Sequence, residues 1–211
     1  MLFCIIKCMI VIVDYGMGNL RSVEKGFLKV GMDVKVVSRP KEIDNAQAVV
    51  LPGVGSFRDC MRNLERMSLV DSLMRSIQKG KPYLGICLGL QVLFTESEEF
   101  GVYKGFNIFE GNVVRFQVNL KVPHMGWNNI TILRRPPILN GIQDEAFLYF
   151  VHSFYVIPCD ANIVATTTEY GVRFTSMIWK DNIFATQFHP EKSQEIGLRI
   201  LKNFVDFSRK A

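Results

Sequence analysis

The first half of the chain alternates short runs of β-branched residues with stretches in which apolar residues have helical spacing. The runs lie at residues 10–13, 33–37, 48–51 and 83–86. Between the first two runs, apolar residues recur at steps of three and four from Leu20 to Val30, and Gly31 follows where a glycine commonly ends a helix. Because alternating strands and helices form parallel sheets with crossover helices, the sequence predicts an α/β fold with a mixed, mostly parallel central sheet and flanking helices.

The second half of the chain changes to closely spaced strand-like runs separated by turn residues. These runs lie at residues 113–116, 147–151, 163–168, 175–179 and 183–187. We therefore expect additional antiparallel strands joined to the sheet in this half. Residues 193–208 follow, with Ile196, Ile200 and Phe204 on one helical face, which indicates a closing helix packed on the sheet.

A chain of 211 residues with 48% hydrophobic residues can bury one substantial core and is short for two. We predict a single domain over residues 9–211. Residues 1–8 are interpreted as an N-terminal extension that the natural protein need not contain, since Met9 offers an alternative start. The apolar stretch at residues 2–13 is interrupted by Lys7 and is too short to span a membrane.

Charge and cysteine content narrow the classes of partner. The net charge of +5 is spread along the chain without a basic run, which argues against nucleic-acid binding. The five cysteines are an odd set with no paired short spacing beyond Cys4 and Cys8, so neither a disulfide framework nor a zinc site is indicated. We expect a reducing compartment, the cytoplasm, and no metal ion.

Residues 85–89, Gly-Ile-Cys-Leu-Gly, follow an apolar run and precede a helical pattern that continues to Phe94. Small residues on both sides of Cys87 would let the chain turn sharply and present the thiol at the sheet edge, as in a nucleophile elbow. The partial positive charge at a helix N-terminus also stabilises a thiolate, which is the nucleophilic species. A buried cysteine at a strand end explains the segment equally well, so the partners of Cys87 must decide.

A cysteine nucleophile needs an acid-base partner, and the chain offers His124, His152 and His189. Residues two apart in an extended segment project to the same side, so Glu191 can reach His189. A carboxylate on one ring nitrogen fixes the tautomer and stabilises the imidazolium, which predicts a triad of Cys87, His189 and Glu191. The alternative is a strand exit with a surface His and Glu. His152 is expected either in the core or in a cleft wall.

Two glycine-containing segments follow predicted strands. Gly53, Val54 and Gly55 can point backbone N–H groups into a cleft and, with the amide of Leu88, form an oxyanion hole, although a plain tight turn explains them equally well. The segment at residues 16–19, Gly-Met-Gly-Asn, lacks the third glycine of a dinucleotide fingerprint. It predicts a turn and a helix cap at Asn19, and Ser56 is placed to cap the following helix.

Taken together, the cysteine segment, residues 188–191 (Phe-His-Pro-Glu) and residues 52–55 (Pro-Gly-Val-Gly) resemble the class I (triad-type) glutamine amidotransferases in order and spacing. Residues 14–20, 123–128 and 149–153 are similar to segments of the glutaminase subunits of imidazole glycerol phosphate synthases, which act in histidine biosynthesis. The resemblance covers residue 9 to the C-terminus. One departure is Phe154, where a tyrosine is frequent in that family.

The resemblance implies that the chain hydrolyses L-glutamine to glutamate without a cofactor. Ammonia would pass to a (β/α)₈-barrel cyclase in a heterodimer that makes imidazole glycerol phosphate and an aminoimidazole carboxamide ribotide. Cys87 would be the nucleophile, His189 the acid-base group and Glu191 its orienting partner. The residues that would hold the glutamine backbone are Gln91, Ser153 and Phe154. Those that would face the partner are Trp127, Tyr149 and Lys192.

Three alternatives differ in partner or activity. A triad glutaminase subunit could serve another acceptor synthase, in sugar amidation or anthranilate synthesis. A noncatalytic scaffold subunit would keep the fold without turnover. A cysteine peptidase or glutamyl hydrolase on a similar fold would act without any partner.

Overall fold

A computed structural model of the protein describes residues 9–210. The expectation about residues 1–8 lies outside the described residues, and the single domain stays a prediction. The elements of the first half are β1 (Ile10–Val13), α1 (Leu20–Lys29), β2 (Lys35–Val37), α2 (Pro40–Asp44), β3 (Ala48–Gly53), α3 (Phe57–Arg66), α4 (Val70–Gln78), β4 (Tyr83–Cys87) and α5 (Leu88–Gln91). Those of the second half are β5 (Phe94–Ser97), β6 (Tyr103–Lys104), β7 (Phe109–Arg115), β8 (His124–Asn129), β9 (Thr131–Ile132), β10 (Phe147–His152), β11 (Phe154–Pro158), β12 (Val164–Glu169), β13 (Arg173–Lys180), β14 (Ile183–Thr186) and α6 (Gln194–Ser208).

One half of the main sheet is parallel, in the strand order β2-β1-β3-β4-β14. The prediction of an α/β fold with a mixed, mostly parallel central sheet and flanking helices is confirmed. Both predicted N-caps are also present. The Asn19 side chain accepts the Ser22 backbone N–H at 3.3 Å, and the Ser56 hydroxyl accepts the Asp59 backbone N–H at 3.2 Å.

Helices cover both faces of the parallel strands, so side chains that alternate along one strand enter two separate cores. In β1, Val11 and Val13 pack with residues of α3 and α4, whereas Ile10 and Ile12 pack with residues of α1 and α6. All four are fully buried. This double coverage fixes the sheet between two helical layers and leaves its carboxyl edge for a site.

The second half adds antiparallel strands, as expected, but three pairings differ from the prediction. β5 is parallel to β7. β14 is antiparallel to β13 yet parallel to β4, because it is the junction between the two halves of the sheet. β10 does not join the main sheet; it pairs with β8 in a separate two-stranded sheet. Alternation along β10 gives this small sheet one face on the core, because Leu148, Phe150 and His152 are buried while Phe147 on the opposite face is exposed. This two-stranded antiparallel sheet of β8 and β10, which we call the hairpin although β9 lies between the two strands in the chain, forms a layer on the core.

The helix predicted after Cys87 is shorter than the sequence pattern indicates. α5 is a single turn that ends at Gln91, and Phe94 already begins β5, which pairs with β7. Backbone bonds from Phe106 to Val92 and from Ile108 to Leu93 draw the chain out of the helix. Among residues 9–210, no helix is both long and apolar enough to cross a bilayer.

Candidate active site

Cys87 is the last residue of β4 and has a left-handed backbone, with φ +56° and ψ −101°. This conformation is costly for a residue with a Cβ and marks a sharp strand-to-helix turn. Packing explains the two flanking glycines. A Cβ at Gly85 would collide with the backbone carbonyl of Gly89, and a Cβ at Gly89 would collide with the carbonyl of Leu51. The turn is therefore built into the packing of β3, β4 and α5.

His189 and Glu191 lie together beneath the surface. The Nδ1 atom of His189 is 2.8 Å from Oε1 of Glu191, and both side chains are about 2% exposed. Burial disfavours the imidazolium, but Cys87 and Glu191 beside the ring outweigh it and raise the pKa of His189 to about 10. The Nε2 atom of His189 is buried and makes no aligned hydrogen bond to another described residue. The ring thus has its carboxylate partner on one nitrogen and Cys87 nearby.

The segment that carries His189 is tied to the β8–β10 hairpin. The backbone N–H of His189 donates to the Tyr149 carbonyl at 2.9 Å, and the Ser193 hydroxyl donates to the His189 carbonyl at 2.7 Å. The same hydroxyl accepts the Tyr149 backbone N–H at 2.9 Å. The position of the imidazole therefore depends directly on the strand that bears Tyr149.

A cavity of about 490 Å³ opens beside Cys87. The predicted site residues that line it are Val54, Gly55, Cys87, Leu88, Gln91, Ser153, Phe154 and Lys192. Gly53 lies behind this wall, where a Cβ would collide with the Tyr15 hydroxyl and with Leu88, while Gly55 has φ +105°. His189 and Glu191 are behind Cys87 rather than on the cavity surface. The catalytic, oxyanion and substrate-binding roles of these residues stay predictions.

Glu99 also lines the cavity, although no motif pointed to it. Its carboxylate accepts the backbone N–H of Phe57 at 2.6 Å, at the start of α3. Burial raises the pKa of Glu99, and the Phe57 N–H only partly offsets this. In the sequence, Glu99 is one of three glutamates in residues 96–99, so only the three-dimensional position distinguishes it. A carboxylate there can bind an ammonium group.

His152 is buried in the core and also lines the cavity, so the two positions expected from the sequence both apply. Burial, with His124 and His189 nearby, lowers the pKa of His152 to about 3 despite its bond to the Phe154 carbonyl. Burial lowers the pKa of His124 to about 4. His124 Nδ1 is 3.1 Å from His152 Nε2, and the two rings form a neutral pair in the hairpin.

The three residues predicted to face a partner lie close together. Trp127 and Tyr149 are opposite each other in the hairpin, with ring centroids 6.0 Å apart, and Lys192 Nζ is 5.6 Å from the Tyr149 ring centroid. Trp127 is 46% exposed and Met125, on the same face, is 62% exposed. We call Met125, Trp127, Phe147, Tyr149 and Lys192 the hairpin face. Over the described part of the chain, no group of three or more His, Cys, Asp or Glu side chains is placed to hold a metal ion.

The family model described as glutamine amidotransferase class-I matches residues 11–207. The chain belongs to the class I glutamine amidotransferases. Solved structures agree at the level of the fold. PurLQS from Thermotoga maritima has a TM-score of 0.76 at 16% identity, covering 96% of this chain and 99% of that one. The glutaminase domain of Trypanosoma brucei CTPS has a TM-score of 0.64 at 14% identity, covering 96% and 94%.

Relatives of higher sequence identity identify a family within this class. The imidazole glycerol phosphate synthase subunit HisH of Geobacter sulfurreducens is 56% identical in an alignment of 202 residues that covers 92% of this chain and 97% of that relative. The HisH subunit of Syntrophotalea carbinolica is 57% identical in an alignment of 205 residues that covers 94% of this chain and 100% of that relative. That of Aquifex aeolicus is 50% identical over 195 residues, or 92% and 94%. Within its class, the chain belongs to the HisH family.

Proposed function

We propose that this protein hydrolyses L-glutamine to glutamate and supplies the ammonia to the cyclase subunit of an imidazole glycerol phosphate synthase in histidine biosynthesis. The observation that carries the proposal is the placement of a strained Cys87 in the cavity wall with a buried His189–Glu191 pair beside it. Identity above 50% to HisH subunits over nearly the whole chain supports the particular pathway.

In the proposed mechanism, the Cys87 thiolate attacks the side-chain amide carbon of glutamine. The raised pKa of His189 keeps the imidazole protonated at neutral pH, which stabilises a thiolate beside it and supplies the proton for the leaving ammonia. Glu191 holds Nδ1 and stabilises the positive ring. The neutral imidazole left behind then activates water, which hydrolyses the glutamyl thioester.

The oxyanion of each tetrahedral intermediate needs hydrogen-bond donors close to Cys87. We assign this role to the backbone amides of the 53–55 segment and of Leu88. Val54, Gly55 and Leu88 line the cavity with Cys87, which supports the assignment. The absence of a side chain at Gly55, with its positive φ, lets the backbone approach the substrate closely.

The cavity also suits the amino-acid part of glutamine. Glu99 and Gln91 both line it, and Glu99 supplies a carboxylate for the α-ammonium group. Ser153 and Phe154 complete the wall. Because Phe154 has no hydroxyl, its contribution rests on its backbone and ring, so a contact through a tyrosine hydroxyl is not part of this proposal.

The acceptor of ammonia is proposed to be a (β/α)₈-barrel cyclase that docks on the hairpin face. Large apolar side chains exposed together, next to a lysine, are typical of a protein interface rather than of free surface. The cavity borders this face through Val151 and Lys192, so ammonia released at Cys87 has a short path to a docked partner. We propose a cytoplasmic heterodimer, which accords with the free thiols of Cys60, Cys87 and Cys159.

Glutamate release from glutamine by the purified chain tests the proposal, with and without the cyclase carrying a substrate analogue. We expect little activity from the chain alone, strong activation by the occupied cyclase, and none in Cys87→Ala under either condition. Strong activity of the isolated chain would contradict the coupling. Silence with the occupied cyclase would contradict the choice of partner.

A further inference from the structure

A second buried side chain, besides His189, reaches the sulfur of Cys87. Nε2 of Gln187 lies 3.5 Å from Cys87 Sγ, within hydrogen-bond range for a sulfur acceptor. Gln187 is fully buried just after the end of β14, the strand that pairs in parallel with β4. Because β14 lies beside β4, which ends at Cys87, the register of the two strands brings Gln187 next to the sulfur.

The hydrogen-bond network determines which end of the Gln187 amide faces the sulfur. The Phe154 backbone carbonyl can only accept, so the group 3.1 Å away on Gln91 must be the NH₂ end. The same NH₂ group donates to Oε1 of Gln187 at 3.1 Å. With its oxygen held there, Gln187 directs its own NH₂ at Cys87. The reverse orientation would set two NH₂ groups against each other.

The hairpin histidines support the same network. Asn128 Nδ2 lies 3.2 Å from His124 Nε2, His124 Nδ1 lies 3.1 Å from His152 Nε2, and His152 Nδ1 lies 2.8 Å from the Phe154 carbonyl. Every donor in this chain finds one acceptor if both rings are neutral, which accords with the lowered pKa values of both. The Phe154 carbonyl is thus held from two sides, by His152 and Gln91.

We propose that Gln187 is a further catalytic residue, whose side-chain N–H donates to the Cys87 thiolate while Gln91, the Phe154 carbonyl and His152 position it. This inference deepens the proposed function and rests on it. A thiolate that has the charged His189 ring beside it and the Gln187 N–H donating to it is stabilised before substrate arrives. The donor from Gln187 carries no proton needed in the reaction, so it remains on the sulfur when His189 gives its proton to ammonia. It then helps the sulfur to leave as thiolate when water cleaves the thioester.

The test is the pH dependence of Cys87 alkylation by iodoacetamide in the full chain, read by mass spectrometry on the peptide that contains Cys87. Gln187→Met removes the donor at similar size and is expected to raise the pH midpoint of alkylation by about one unit. Gln78→Met, the same change at an exposed glutamine of α4, should leave the midpoint unchanged. Among the described residues, His189, Tyr15 and Cys60 also interact electrostatically with Cys87, and these variants keep all three.

An unchanged midpoint in Gln187→Met would overturn the inference. If that variant fails to fold, the wild-type chain decides, with ¹⁵N-labelled glutamine side chains. A buried glutamine N–H signal should titrate with the alkylation midpoint and lose that titration in Cys87→Ser, and its absence would overturn the inference. Because alkylation needs neither glutamine nor cyclase, its outcome is independent of the proposed function. With the occupied cyclase, Gln187→Met should lower kcat at pH 7 by about tenfold with little change in KM.

Discussion

Two buried histidines near the same cavity have opposite electrostatics. His189, on the catalytic edge formed by Cys87, His189 and Glu191, has a pKa raised to about 10. His152, on the hairpin wall formed by His124 and His152, has a pKa lowered to about 3. Both rings are almost inaccessible to solvent. Burial alone therefore does not explain why the two rings differ in charge.

The difference lies in what each ring contacts. His189 has a carboxylate on one nitrogen and a cysteine near the other, so negative partners outweigh desolvation. His152 has a backbone carbonyl and a second imidazole, neither of which carries a negative charge, so desolvation prevails. The catalytic edge therefore stabilises a charged imidazolium, whereas the hairpin wall contains neutral rings that fix the position of the Phe154 carbonyl.

The largest expected effect is a difference in activity between a variant of His189 and a variant of His152. Replacing His189 with Gln removes the proposed acid-base group, and we expect the cyclase-activated glutaminase rate to fall by at least about 10⁴-fold. His152→Asn keeps an N–H at the position of Nδ1 that can donate to the Phe154 carbonyl, and we expect a loss of about tenfold or less. The measurement is kcat for glutamate release with the occupied cyclase. Equal losses in the two variants would end the distinction between the two regions.

The carboxylate partner on the catalytic edge is expected to give the next largest effect. Glu191→Gln replaces an acceptor by an amide that no longer stabilises the imidazolium, and we expect kcat to fall by about 10³-fold. Glu195→Gln, at an exposed position in α6, is the matched control and should leave kcat unchanged. An NMR titration of His189 in Glu191→Gln should give a lower pKa than in wild type, and an unchanged pKa would contradict the role of Glu191.

The pH dependence of stability should separate the regions by sign. The pKa of His189 is raised from 6.5 to about 10, so its contribution is fully present below pH 6.5 and is lost as pH rises toward 10. Those of His124 and His152 are lowered to about 4 and about 3, so their contribution is present above pH 6.5 and is lost as pH falls. His189→Gln should flatten the alkaline side of urea-unfolding stability, and a double variant of the hairpin histidines should flatten the acid side.

The same curves contain their own control. Each variant should leave the opposite side of the stability curve parallel to that of wild type. If His189→Gln changed the acid side instead, His189 would have to be neutral in the folded protein, and the proposed imidazolium beside Cys87 would be wrong.

The sequence predicts more of the catalytic edge than of the hairpin wall. Residues 85–89 and the pair His189 and Glu191 are local patterns, and local spacing is enough to predict that Glu191 reaches the ring. The pairing of β8 with β10 joins residues 18 to 28 positions apart and depends on tertiary packing, so it has no local signal. Glu99 and Gln187 were missed for the same reason, since their significance comes from neighbours distant in sequence. The helix after Cys87 was predicted too long because packing of β5 overrides local propensity.

The smallest expected effect concerns backbone strain, which distinguishes Cys87 from the hairpin histidines. Cys87 has φ +56°, whereas neither His124 nor His152 has a positive φ. At such a backbone, glycine avoids the penalty that any Cβ incurs, so Cys87→Gly should be more stable than Cys87→Ala by about 1 kcal/mol in urea unfolding. Cys60 lies within the regular helix α3, so the same pair of substitutions there should reverse the order by about 1 kcal/mol. If alanine were the more stable residue at both positions, the turn at Cys87 would hold no strain, and the sharp presentation of its thiol would need another cause.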